Sequence, residues 1–162
     1  MSKAHISPAS VQDSSLYIVL ADDDADDREM FMEAVGEIRD NVAVSCAEDG
    51  NHLLALLDSE TKCLPHIIFL DLNMPNKNGK ECLVEIRKAP NLQHIPIVIY
   101  STSTSPSDID DTFEKGANLY LRKPYSYNDL IVIMQKILII DWKQQQPQAS
   151  RNAFVFSLRA SY

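Results

Sequence analysis

The chain has 162 residues, 45% of them hydrophobic and 23% charged, with a net charge of −8 at pH 7. That length suits one domain with its own core, and an acidic balance without a Lys/Arg-rich run argues against nucleic acid as a partner. No apolar stretch reaches bilayer length, the start Met1-Ser2-Lys3-Ala4-His5 leads into no signal-peptide core, and the scattered Cys46, Cys63 and Cys82 read as reduced thiols of a cytoplasmic protein, off zinc-ligand spacing with His5, His52, His66 and His94.

Residues 1–15 are polar and are expected to form a flexible N-terminal arm. From Leu16, short apolar runs alternate with amphipathic segments. Ile18-Val19-Leu20-Ala21 is a strand that ends in Asp22-Asp23-Asp24. A helix from about Asp26 to Ile38 carries Met30, Phe31, Ala34, Val35 and Ile38 at helical spacing. Val42 to Cys46 is a second strand, and Asn51 to Leu57 a short leucine-rich helix. His66-Ile67-Ile68-Phe69-Leu70 is a third strand, closed by Asp71 and the turn Leu72-Asn73-Met74-Pro75-Asn76-Lys77-Asn78-Gly79. Gly79 precedes a helix with Cys82, Leu83 and Ile86, which Pro90 ends. Pro96 opens a fourth strand, Ile97 to Tyr100, ending in Ser101. Ser105-Pro106 has the form of an N-cap with proline at the first helical position, and Gly116 that of the C-cap. A fifth strand, Asn118 to Arg122, ends in Lys123-Pro124, and Ser126 caps a last helix through Leu138.

Five strand–helix units in succession predict a parallel sheet covered by helices on both faces, and the near-continuous apolar strands agree with burial on both sides. The domain is expected over 16–142, with 143–162 as a C-terminal extension. Gln144 to Gln148 reads as a linker. Beyond it Phe154, Phe156 and Leu158 alternate as a short strand would, and the segment is expected to dock on its own domain or on a second subunit; the plain alternative is a frayed end.

The reactive residues all stand at C-terminal ends of strands, where open α/β sheets bind ligands. Clustered carboxylates such as Asp22 and Asp23 repel unless a cation is present, and Mg2+ takes a few carboxylates while keeping several waters. An acidic run is also a common solvated helix start. Asp71 could cap a turn, or act as a nucleophile that forms an acyl phosphate beside such a cation. Lys123 could neutralise phosphoryl oxygens, and Ser101 donate to one. The plain alternatives are a surface lysine, a hydroxyl serving the loop that contains Thr102, and for Tyr120 a core aromatic.

In order and spacing, the acid pair after the first strand, Asp71-Leu72-Asn73-Met74-Pro75 with Gly79, Ser101, and Lys123-Pro124 resemble the receiver domain of two-component response regulators. The resemblance covers roughly Leu16 to Leu138 and, together with the five units, implies a flavodoxin-like doubly wound sheet with strand order 2-1-3-4-5. It implies that Asp71 is the phosphoacceptor, that Asp23, Asp71 and the backbone carbonyl of Asn73 hold Mg2+, and that Asp22 does so through water. Ser101 with Thr102 beside it, Tyr120 and Lys123 would contact phosphate or carry the switch, and the Lys123-Pro124 bond is often cis in the family. Asp24, a third acid, would add charge without being a ligand. The implied function is a single-domain response regulator, phosphorylated by a histidine kinase and signalling through protein contacts, among them a homodimer through the fourth helix, fifth strand and fifth helix or through the tail. Passing phosphate to a histidine phosphotransfer protein is the alternative. An aspartyl-nucleophile phosphatase would need a second acid two residues after Asp71, where Asn73 stands.

Overall fold

Alternation within each strand builds two cores at once. The computed structural model describes residues 15–58, 63–142 and 150–157. β1 (Leu16–Ala21), β2 (Val42–Ala47), β3 (Ile67–Leu70), β4 (Ile97–Ser101) and β5 (Leu119–Arg122) form one sheet in the order β2-β1-β3-β4-β5, with every neighbouring pair parallel. Tyr17, Val19, Ile68, Leu70, Ile97, Ile99 and Tyr120 face one side. Ile18, Leu20, Ile67, Phe69, Val98, Tyr100, Leu119 and Leu121 face the other. With both faces covered, the strands lose the polar alternation of a one-sided sheet. This is the flavodoxin-like order expected from the sequence.

α1 (Ala25–Ile38) and α5 (Tyr127–Leu138) cover the second side through Phe31, Ala34, Val35, Leu130, Ile133, Met134 and Ile137. α2 (Gly50–Leu57), α3 (Gly79–Lys88) and α4 (Pro106–Glu114) cover the first. Side chains of Asp24, Asp49, Asn78 and Ser126 cap α1, α2, α3 and α5, each satisfying backbone N–H groups that a helix start leaves open. Ser105 precedes α4 as expected, but its side chain makes no cap bond; Pro106 opens the helix instead. Gly116, just past α4, has φ 93°, a left-handed conformation that costs glycine little. Only Thr112 of α4 is buried, so α4 is the most lightly anchored of the five long helices. Trp142 is buried on the α1/α5 side and donates from Nε1 to the Ile137 carbonyl at 3.1 Å.

Two expectations are corrected. Among the described residues there is no cis peptide bond, so Lys123–Pro124 is trans. The tail is not a strand. Ser150 caps a single helical turn, α6 (Arg151–Phe154), and only Val155 then bridges Tyr120, with Phe156 N donating to Tyr120 O at 2.9 Å. Phe154 is fully buried, its ring 5.3 Å from that of Phe113 and 6.1 Å from that of Tyr120. Arg151 pairs with Asp110 of α4. The helical turn carries Phe154 in beside Phe113 and Tyr120, while one bridge at Val155 suffices to meet the edge strand. The segment therefore docks on its own domain. The arm expected over 1–15, apart from Ser15, lies outside the described residues, as do the Gln144–Gln148 linker and Leu158.

Phe154→Ala should remove this anchor. Truncating a buried Phe costs about 3–5 kcal/mol in a rigid core. A terminal segment can undock instead, so the expected loss is about 1–3 kcal/mol, or several degrees in melting temperature, with faster trypsin cleavage at Arg151. An unchanged melting temperature and cleavage rate would contradict the docking.

Candidate functional site

The sheet reverses its winding between β1 and β3, the place where doubly wound folds leave a crevice at the strand ends. Asp22 and Asp71 are each pinned there by one more ladder bond past their strands. Asp22 N donates to Ala47 O at 3.0 Å and Asp71 N to Ala21 O at 2.9 Å. Carboxylate oxygens of Asp22, Asp23 and Asp71 lie within 4.8 Å of one another. Asp22 and Asp71 are buried and Asp23 is exposed. Asp24 is turned away: its Oδ1 accepts from Asp26 N at 2.9 Å and Asp27 N at 3.2 Å, so the third acid is the helix cap. Arg28 ties the loop down by donating to the Asp22 carbonyl at 2.8 Å.

Lys123 enters from the end of β5, with its backbone N donating to Ser101 O at 2.8 Å. Its Nζ lies 2.7 Å from Asp22 Oδ2, 2.9 Å from Asp27 Oδ2 and 3.4 Å from Asp71 Oδ2. That Asp22 oxygen is fully buried, and the Lys123 ammonium is its close ionic partner. Burial pushes the Asp71 carboxyl up to about 6; Lys123 pulls the other way without cancelling it. Burial also raises Asp22, again against Lys123. Burial opposes the charge on Lys123, but hydrogen bonds to Asp22 and Asp27 more than offset this, so its net shift is upward. One ammonium among several acids leaves the cluster short of positive charge. An all-oxygen, partly buried, anionic donor set with its oxygens within 4.8 Å fits a hard divalent cation. Asp22, Asp23 and Asp71, with the Asn73 carbonyl beside them in sequence, are the residues that could hold it.

The loop after β4 forms a second network. Ser101 is fully buried, and its Oγ accepts from Ser103 N at 3.1 Å. Thr102 beside it is exposed. Tyr120 OH donates to Ser103 O at 2.9 Å. Ser103 Oγ donates to Asp108 Oδ2 at 2.5 Å, and Lys80 of α3 pairs with Asp108 at 2.7 Å and Asp111 at 2.8 Å. The strand-end hydroxyl and the core aromatic are thus joined through one residue, Ser103. A cleft of about 400 Å3 opens beside them, lined by Leu72, Asn73, Met74, Asn78, Lys80 and Asp108. Gly79 allows this loop to fold back on the strand, since a Cβ there would stand 2.1 Å from the Asp71 carbonyl oxygen.

The structure therefore brings Asp22, Asp23, Asp71 and Lys123 together, and puts Ser101 and Tyr120 on one loop nearby. Two participants were not singled out from sequence. Asp27 lies in the first turn of α1, where an acid is explained by the helix start alone, and its partner Lys123 is distant in sequence. Lys80 had no local signal at all, since its partners lie in α4.

Residues 18–135 match the family model described as the response regulator receiver domain. The chain is 32% identical over 124 residues to response regulator Rcp1 of Synechocystis, covering 74% of this chain and 84% of that protein. It is 34% identical over 124 residues to the two-component response regulator ORR13 of rice (Oryza sativa subsp. japonica), covering 76% of this chain and 99% of that one. Among solved structures, the phosphorylated cyanobacterial phytochrome response regulator RcpA superposes with a TM-score of 0.74 at 30% identity, over 85% of this chain and all of that one. The manganese-bound form of Rcp1 gives 0.71 at 30% identity, over 83% of this chain and 99% of that one. Among the described residues no helix is long and apolar enough to cross a membrane.

The buried acid at Asp71 carries a stability signature. Its folded pKa lies above the unfolded value, so the native state binds more protons between about pH 4 and 6, and stability falls as pH rises through that window and stays low above it. In chelated, metal-free protein, Asp71→Asn should stabilise the fold at pH 7.5 by on the order of 2 kcal/mol. The gain should fall to about half at pH 5. Urea melts of both proteins at the two pH values measure this; a variant less stable than the parent at pH 7.5 would contradict it.

Proposed function

Because the chain belongs to the response regulator receiver domain family, we propose that it is a phosphorylation switch in which Asp71 accepts a phosphoryl group from a histidine kinase with the help of Mg2+. The observation that carries this reading is the strand-end carboxylate of Asp71, 3.4 Å from Lys123 and clustered with Asp22 and Asp23. The switch unit is residues 16–142, working in the cytoplasm, with 143–162 as an appended segment. RcpA is a phytochrome response regulator, and likeness to it supports a phytochrome-class kinase as the donor.

An Asp71 oxygen attacks the phosphorus of the kinase phosphohistidine. The new bond is O–P, the N–P bond breaks, and its electron pair stays on the imidazole nitrogen, which takes up a proton. Attack needs the anionic carboxylate. Burial works against that form, and Lys123 favours it. Mg2+, held by Asp23, Asp71 and the Asn73 carbonyl and by Asp22 through water, would neutralise the acids and draw charge from the phosphoryl oxygens. Lys123 hydrogen-bonds one of those oxygens, which needs only a short movement of its Nζ. Asn73 is exposed and its amide cannot give or take a proton at neutral pH, so nothing at that position activates water. The missing acid favours the reading of a phosphoacceptor over that of a phosphatase.

The phosphoryl group adds charge and acceptor oxygens, which draw the Ser101 hydroxyl, flanked by Thr102, toward it. Ser101 Oγ then leaves Ser103 N, and the Ser103 carbonyl that anchors Tyr120 moves with its loop. Tyr120 turns into the vacated space. Since Tyr120 packs on Phe154 and α4 is lightly anchored, the change reaches the α4–β5–α5 face and the tail seated on it.

Two measurements test this. With Mg2+ and acetyl phosphate, intact mass should show one phosphoryl group on the parent and none on Asp71→Asn, while Asp23→Asn should need much more Mg2+. Phosphorylation that survives Asp71→Asn would refute the choice of nucleophile. Ser101→Ala should still accept phosphate, but its beryllofluoride-induced chemical-shift changes should stop short of α4 and Phe154; identical responses in the two proteins would refute the coupling.

A further inference from the structure

We propose that Asp27 is a positioning residue for Lys123: its carboxylate competes with Asp71, and later with the phosphoryl group on Asp71, for the ammonium. The proposal rests on the reading of Asp71 as phosphoacceptor and adds to it a residue that sets how fast the group is gained and lost.

The resting geometry is lopsided. Lys123 Nζ has three protons to donate, and its partners stand at 2.7 Å for Asp22, 2.9 Å for Asp27 and 3.4 Å for Asp71. The residue that would receive the phosphoryl group is thus the least well served. A charge-assisted bond is strong near 2.7–2.9 Å, so the Asp27 contact is within the favourable range and the Asp71 contact beyond it. Lys123 has little freedom to satisfy all three. Its side chain is 9% exposed, and Nζ lies 5.5 Å from the centre of the Tyr100 ring.

Asp27 is held in place by its helix. Its backbone N donates to the Asp24 cap at 3.2 Å, in the first turn of α1, where a carboxylate is favoured by the helix N-terminus. It also differs from Asp22 in burial. The Asp22 side chain is inaccessible, whereas that of Asp27 is 35% exposed. Water can replace the ammonium at Asp27 but not at Asp22, which makes Asp27 the partner Lys123 leaves at least cost when phosphoryl oxygens appear. It is equally the partner that draws Lys123 back, opening the phosphoryl group to water.

Asp27→Asn weakens that competitor. Phosphorylation by acetyl phosphate should quicken and the acyl phosphate should decay more slowly, each by about threefold to tenfold, the scale of a charge-assisted hydrogen bond weakened by the partial exposure of Asp27. Asp26→Asn is the control. It makes the same change of charge on the same exposed helical turn, and should leave both rates within about twofold of the parent, since exposed charges are well screened. Asp27→Glu keeps the carboxylate and should restore parent-like decay. In metal-free protein, the ammonium resonance of Lys123 should shift in Asp27→Asn and not in Asp26→Asn. Equal lifetimes in the two Asn variants, or a shorter lifetime in Asp27→Asn, would overturn the proposal while leaving Asp71 as acceptor. A parent protein that takes no phosphoryl group on Asp71 would overturn the functional reading, and this proposal with it.

Discussion

A single ammonium serves three carboxylates at the C-terminal ends of the strands, and much of the molecule is arranged around that shortage of positive charge. Lys123 touches Asp22, Asp27 and Asp71, groups delivered by β1, α1 and β3, so the ion cluster joins elements far apart in sequence. Two of those acids are buried and raised by desolvation. An apolar surround alone would drive them to the neutral form, while one cation is too little to hold all of them as anions. The site is therefore electrostatically unfinished, and whatever adds positive charge there, or consumes negative charge by bonding to it, gains energy from the fold. A chemical change at one of these carboxylates therefore alters the charge balance of the whole cluster.

Beside this cluster lies the most lightly anchored of the long helices, α4, and the loop that leads into it. Each strand buries residues on both sides, so the sheet and its flanking helices α1, α3 and α5 cannot move without opening a core. The loop after β4 is different. Its position is held by polar contacts through Ser103, between Ser101, Tyr120, Asp108 and, beyond it, Lys80. Directional polar contacts can be exchanged for others at small net cost, whereas packed apolar surface cannot. The tail is placed on this same region, with Phe154 against Tyr120 and Phe113. Tyr120 and the tail thus share one packing contact.

Much of the architecture could be read locally. Short apolar runs ending in polar groups marked four of the five strands, and Asp49, Asn78, Ser126 and Gly116 mark helix ends by chemistry that operates within a few residues. Asp24 shows how local reading can leave a residue open: an acid beside two site acids is either a further charge at the site or a cap, and only the direction of its side chain, toward Asp26 N and Asp27 N, decides for the cap. The tail shows the same limit differently. Its alternating pattern fitted a strand, but the slot between α4 and β5 is reached by one helical turn that delivers Phe154.

The sequence by itself determined the order of the elements, the strand-end placement of Asp22, Asp23, Asp71, Ser101 and Lys123, and the two-sided burial of the sheet, because these follow from periodicity and turn chemistry acting over a few residues. The tertiary structure alone decided which charges meet. That Lys123 stands closer to Asp27 than to Asp71, that Lys80 bridges from α3 to α4, and that the tail seats on its own domain all depend on how separate elements are rotated and spaced. Ion pairs and docking contacts are decided over an ångström or less, and no pattern along the chain carries that information, since the partners are brought together only by packing of the sheet and its helices.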